Sequence, residues 1–344
     1  MCVTPAALSL SHLVAGYCRS EVLMNLISLT DEPLEISVTR PLTTAGMFAR
    51  AVRSGRGKRS GQWPSQPVPR TVVRQEGLTF CPRRIRAFRE CCEFYGQAGG
   101  IPLPFPETCF TPLMAEVLTH RDFPLSPAGI IHLRQSATQH LPLGPGDTLS
   151  ALCELAAVRE TDRGVELDFD MRLLRDGVLH WSGTGTVLSR RKGRSVNRSK
   201  ASPASDTTVG PSSETHVPGN TGRAFARASG DYNPFHLWKL TALPFGFSRP
   251  IAHGMWTFSR VLGSALSSVD AETGVTASAA FKRPLPMPGN VRIAADVLSA
   301  GCRGTVLAVH SHDGTPHLVG DASLIEEQAG RPTTGSAEET SGGS

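Results

Sequence analysis

Ser229-Gly230-Asp231-Tyr232-Asn233-Pro234-Phe235-His236, followed by Arg249-Pro250-Ile251-Ala252-His253-Gly254-Met255, is the run around which the rest of the chain falls into place. Asp231 and His236 stand five positions apart, which in a straight α-helix separates them by roughly 140° around the axis. Pro234 removes that obstacle. It cannot continue a helix begun upstream, and it biases Asn233 away from helical backbone, so the segment turns and can bring acid and imidazole toward one point. The downstream Gly254 opens an apolar stripe, Met255, Phe258, Val261, Leu262, Ala265 and Leu266, at helical spacing. Its N–H therefore sits at a helix start, where backbone donors lack partners and negative charge is favoured.

Gly-Asp-Tyr-Asn-Pro-Phe-His, with Phe-Gly-Phe-Ser-Arg-Pro-Ile-Ala-His-Gly-Met after it, resembles the signature of the MaoC-like, (R)-specific enoyl-CoA hydratases of the hotdog fold. The likeness is strongest over residues 222 to 266. It implies reversible hydration of a trans-2-enoyl thioester, with Asp231 and His236 as the acid–base pair. Gly254 is the oxyanion donor that the helix start suggests. Asn233, His253 and Met255 are assigned to substrate contact, with turn bracing the competing role for Asn233 and helix-start packing for His253. Phe235 stands where the family more often has an aliphatic residue, and Trp238 is bulkier than expected; both bear on acyl-chain preference. A hotdog thioesterase and a non-catalytic acyl-CoA-binding subunit are the rival readings.

The chain has 344 residues, 40% of them hydrophobic, enough for two domains of ordinary size. No stretch of 18 apolar residues suggests a membrane span. The first residues lack the basic start and small-residue cleavage site of a signal peptide. Eight cysteines without metal-ligand or disulfide-scaffold spacing point to a reduced, cytoplasmic protein, and neither a metal nor a redox cofactor is expected. The net charge of +5 is concentrated early, at Arg50, Arg53, Arg56, Lys58 and Arg59, and reads as a solvated arm. The implied partner is an acyl-CoA or acyl-carrier-protein thioester, with no nucleic acid; a homodimer is possible beyond the pairing inside the chain.

Residues 1–70 read as an irregular, partly ordered arm, 71–190 as a first hotdog, 191–217 as a flexible linker, 218–326 as the catalytic hotdog and 327–344 as a disordered tail. In the first half, Pro82 opens a helix, Pro102, Pro104 and Pro106 form an extended connector, and Pro112 to Thr119 form a buried helix. Val165, Leu167, Phe169, Met171 and Leu173 then alternate with polar residues as a half-buried strand, and Asp176-Gly177 marks a hairpin. The second half repeats this order. Leu141-Pro142-Leu143-Gly144-Pro145-Gly146-Asp147 matches Leu285-Pro286-Met287-Pro288-Gly289-Asn290, and Arg175-Asp176-Gly177 matches His312-Asp313-Gly314; a longer connection around Glu160 to Gly164 accounts for the change in offset. A helix followed by an antiparallel sheet, twice, is an α+β tandem or double hotdog, each half a long central helix wrapped by its sheet. Only the second copy carries the acid–imidazole motif, so a single active site is expected.

Overall fold

The computed structural model describes residues 25–58, 60–63, 67–191 and 212–325. Its strands are β1 (Asn25–Ile27), β2 (Leu29–Val38), β3 (Val68–Leu78), β4 (Ile130–Gln139), β5 (Leu149–Thr161), β6 (Gly164–Arg175), β7 (Val178–Arg190), β8 (Ser212–Val217), β9 (Val275–Phe281), β10 (Gly289–Ala294), β11 (Gly304–Ser311) and β12 (Pro316–Leu324). Its helices are α1 (Thr44–Ser54), α2 (Pro82–Cys92), α3 (Thr111–Leu118), α4 (Thr221–Ser229), α5 (Lys239–Ala242) and α6 (Gly254–Ala265).

The strands form one sheet in the order β2-β3-β5-β6-β7-β4-β9-β12-β11-β10-β8, with β1 beside β5. The duplication is visible in that order. From the centre outward one half runs β4-β7-β6-β5-β3 and the other β9-β12-β11-β10-β8, so each strand has a counterpart five elements later. The halves meet where β4 and β9 pair antiparallel, from Arg134 opposite Ala280 to Gln139 opposite Val275. Strands alternate because one face is buried: Val165, Leu167, Phe169, Met171 and Leu173 are all inside. Asp176 and Gly177 take φ of 52° and 79°, both left-handed, which lets a two-residue turn join β6 to β7. The helices lie against the sheet, and one apolar cluster runs through both halves. The central helices are unequal, twelve residues in α6 and eight in α3.

Four expectations need correction. The arm read as irregular contains β1, β2 and α1: β2 pairs parallel with β3, and β1 adds to β5. The presumed linker ends sooner, because Ser212–Val217 pairs with β10 as an edge strand. With most of its side chains facing water, that strand needs no apolar alternation. The proline series is not extended throughout: Phe105–Cys109 is a 3-10 turn, and residues 101 to 108 are buried. Around Glu160 to Gly164 the extra length is strand, since β5 reaches Thr161 and β6 begins at Gly164. The proposed tail and the first residues lie outside the described part of the chain.

Candidate active site

The motif begins where α4 ends. Gly230 takes φ of 84° and donates to the Ala226 carbonyl at 2.8 Å, a left-handed cap that turns the chain off the helix axis. Ser229 Oγ donates to the Phe225 carbonyl and accepts the Asp231 N–H at 3.1 Å. Asp231 Oδ1 then accepts the Asn233 N–H at 3.1 Å, a turn closed by a carboxylate. Asn233, just before the proline, is extended at ψ 126°, and Pro234–His236 forms a single 3-10 turn in which His236 N–H donates to the Asn233 carbonyl. So the proline does fold acid and imidazole together: one nitrogen or carboxylate oxygen from each of Asp231, His236 and His253 lies within 4.8 Å of the others.

The protonation pattern of the histidines follows from their partners. His236 Nδ1 lies 2.7 Å from the Ile251 carbonyl, which can only accept, so Nδ1 carries the hydrogen and Nε2 keeps a lone pair. His253 Nε2 donates to the Asp231 main-chain carbonyl at 3.0 Å; its 3.8 Å distance to Asp231 Oδ2 is too long for a hydrogen bond. The two rings stack with centroids 3.6 Å apart, and Phe225 covers the outer face of His253 at 4.9 Å. Burial, together with the neighbouring imidazole, pushes His236 down to about 3; burial alone pushes His253 to about 3. Both rings are therefore neutral at physiological pH. As for a metal, the three groups lie close together, but His253 Nε2 is committed as a donor to the Asp231 carbonyl and the two imidazoles lie in stacked planes 24° apart rather than in planes that meet at one nearby point.

Gly254 is the first residue of α6, and among the described residues its N–H has no acceptor. A Cβ there would sit 3.0 Å from the Phe281 ring, so the ring packs directly on the glycine and a larger residue would displace it. Met255, one residue on, is buried in the core, and Asn233 is exposed and contributes backbone rather than side-chain bonds to the turn. His253 packs against α4 through Phe225 and supports the Asp231 backbone.

Three groups that sequence reasoning missed come from the first half. Arg84 in α2 donates from Nε to the Ala228 carbonyl at 2.9 Å and from Nη2 to the Ser229 carbonyl at 2.5 Å, holding the helix end that carries Asp231. Glu107, buried in the 3-10 turn, is raised to about 8, mainly by burial and further by the Asp231 carboxylate. His132 on β4 is lowered to about 4 by burial, partly offset by Asp231 among others, and its ring meets Phe281 edge-on at 5.0 Å. No local pattern announces them; four arginines crowd Pro82–Cys92 and only the fold selects Arg84.

A family model described as a MaoC-like domain matches residues 200–299. The 3-hydroxyacyl-thioester dehydratase X of Mycobacterium tuberculosis is 26% identical over 256 residues, covering 73% of this chain and 88% of that protein. A crystal structure of that organism's HtdX aligns with a TM-score of 0.61 at 25% identity, over 74% of this chain and 100% of the other. A MaoC-like dehydratase from Phytophthora capsici, 16% identical, shares the fold with a TM-score of 0.56 over 76% of this chain and 97% of its own. The duplicated strand order, the Asp-His turn and these similarities agree: the chain carries a MaoC-like domain over residues 200–299 and is similar in sequence and double-hotdog fold to a 3-hydroxyacyl-thioester dehydratase.

Proposed function

We propose that the protein interconverts a trans-2-enoyl thioester and a (3R)-3-hydroxyacyl thioester, with Asp231 and His236 as the acid–base pair and Gly254 N–H as the oxyanion donor. The observation that carries this reading is the His236 ring, with Nδ1 committed to the Ile251 carbonyl and neutral Nε2 left as a base beside Asp231. In hydration, His236 Nε2 takes a proton from a water oriented by Asp231 as its oxygen bonds to C3. The π pair moves onto the thioester as an enolate, whose oxygen the Gly254 N–H stabilises. Proton return from the pair to C2 completes the addition. No electron is gained or lost overall, so the chemistry calls for no redox cofactor, and we assign no metal role.

The test mixes purified protein with crotonyl-CoA and a medium-chain trans-2-enoyl-CoA, follows loss of the enoyl-thioester absorbance, and resolves the product on a chiral column. Formation of the 3R alcohol, abolished in Asp231→Asn and His236→Ala, is expected. Release of free thiol without loss of the double bond would replace the reading with a thioesterase.

A further inference from the structure

Among the described residues, four large apolar side chains that face water fall in one short segment: Trp238, Leu240, Leu243 and Phe245, with Leu240 80% exposed and Trp238 53% exposed. The segment is the one-turn helix α5 and the 3-10 turn Leu243–Phe245 that follows it, directly after the site motif. It touches the site. Phe245 packs on Phe235 with centroids 5.2 Å apart, and Phe235 lies 4.3 Å from the His236 ring. Exposed apolar surface concentrated in this way marks a contact surface rather than ordinary scatter.

The charge along this stretch of sequence has one sign. Between Glu214 and Asp270 the only acidic residue is Asp231, whereas Lys239 lies within the segment and Arg223, Arg227 and Arg249 flank it in sequence. Arg223 lies 5.9 Å from the Trp238 ring and donates to the Leu237 carbonyl; Arg249 donates to the Pro288 carbonyl. None of the four pairs with a carboxylate among the described residues. A coenzyme A phosphate could use such cations, yet it would leave Trp238, Leu240 and Leu243 in water. A partner that is both acidic and apolar uses both parts of the surface.

We infer that Trp238–Phe245, with the cations around it, docks an acidic acyl carrier protein that presents the acyl chain on its thioester arm. This inference rests on the proposed thioester chemistry for its purpose, but not for its detection.

The test supplies one enoyl chain on coenzyme A and on a carrier protein to wild type and to the double variant Lys239→Glu, Leu240→Glu. Both changes are on the surface and outside the acid–base machinery, and circular dichroism and melting check the fold. The expected result is a fall of about tenfold or more in kcat/KM for the carrier-protein substrate, carried by KM, with coenzyme A turnover within about twofold of wild type. Calorimetric titration of the same carrier protein should show the loss of affinity directly. Equal effects on both substrates, or none on either, would overturn the docking surface. So would unchanged carrier-protein turnover alongside variant-sensitive binding to phosphatidylglycerol vesicles, or a variant-sensitive monomer–dimer equilibrium in sedimentation. If wild type turns over neither thioester, the proposed chemistry fails; carrier binding that the variant abolishes would still support docking, and no binding would sink both.

Discussion

The two halves share a strand order but put the turn after their first helix to opposite uses. In the second half, α4 ends at Gly230 and the next six residues turn an acid and an imidazole toward one point. In the first, α2 ends at Glu93 in the left-handed region, and the chain wraps around Arg89. That guanidinium donates to the carbonyls of Phe94, Gly96, Gln97 and Gly100 at 3.1, 2.8, 2.6 and 3.0 Å. One loop is closed on itself by a half-buried cation; the other leaves His236 Nε2 without a hydrogen-bond partner among the described residues. The sheet and core depend on apolar periodicity, which both copies keep, while the proposed chemistry depends on one eight-residue turn, which only one copy keeps.

The largest effect should come from the open loop. Asp231→Asn and His236→Ala should each lower kcat by ~10²–10⁴, the usual contribution of a positioned acid or base. Asp231→Asn keeps the side-chain oxygen that closes the Asn233 turn, so its melting temperature should stay close to wild type. The closed loop predicts the reverse. Arg89→Ala leaves four carbonyls short of a donor, and at ~1–3 kcal/mol for each buried group left unsatisfied it should destabilise by several kcal/mol. Turnover per folded molecule should change little. A large kcat loss in Arg89→Ala at full folding would erase the distinction between the loops.

Arg84 is the test of how far the halves are coupled. Its two bonds to the Ala228 and Ser229 carbonyls place it as a positioning residue for Asp231, with no contact to the reacting atoms required. Arg84→Ala should reduce kcat about tenfold with little change in KM, and Arg84→Lys, which can keep one of the two bonds, should recover part of that loss. If stability falls while kcat of the folded enzyme holds, the contact serves packing alone.

What was legible in the sequence divides along the same line. The alternation of β6, the Asp176-Gly177 hairpin and the turn forced by Pro234 are local consequences of side-chain period and backbone restriction, and all three are present. β8 was missed because Ser212-Ser213-Glu214-Thr215-His216 presents no apolar face, its strand character being supplied by the partner β10. Glu107 was missed for a different reason. A lone acid after three prolines carries no signal, and its proximity to Asp231 exists only once α4 packs on the 3-10 turn.

That pair also yields the smallest and most specific prediction. Glu107, held near 8, stays protonated in the folded protein well above the point at which an unfolded glutamate ionises, near 4.5. Between these values folding takes up a proton, so the group's stabilisation is present at low pH and is lost as pH rises through 8. The buried histidines act in the opposite sense, since His132, His236 and His253 bind protons less readily folded than unfolded, but their contribution is complete above about 6.5. From pH ~6.5 to ~8 the slope from Glu107 is therefore exposed, up to about 1.4 kcal/mol per pH unit. Urea unfolding across that window should show wild type losing stability as pH rises and Glu107→Gln losing less. In Asp231→Asn the repulsion is gone, the Glu107 carboxyl ionises at lower pH, and the decline should level off sooner. An unchanged decline in Asp231→Asn would mean that burial alone governs Glu107 and that the first half does not sense the charge of the Asp231 turn.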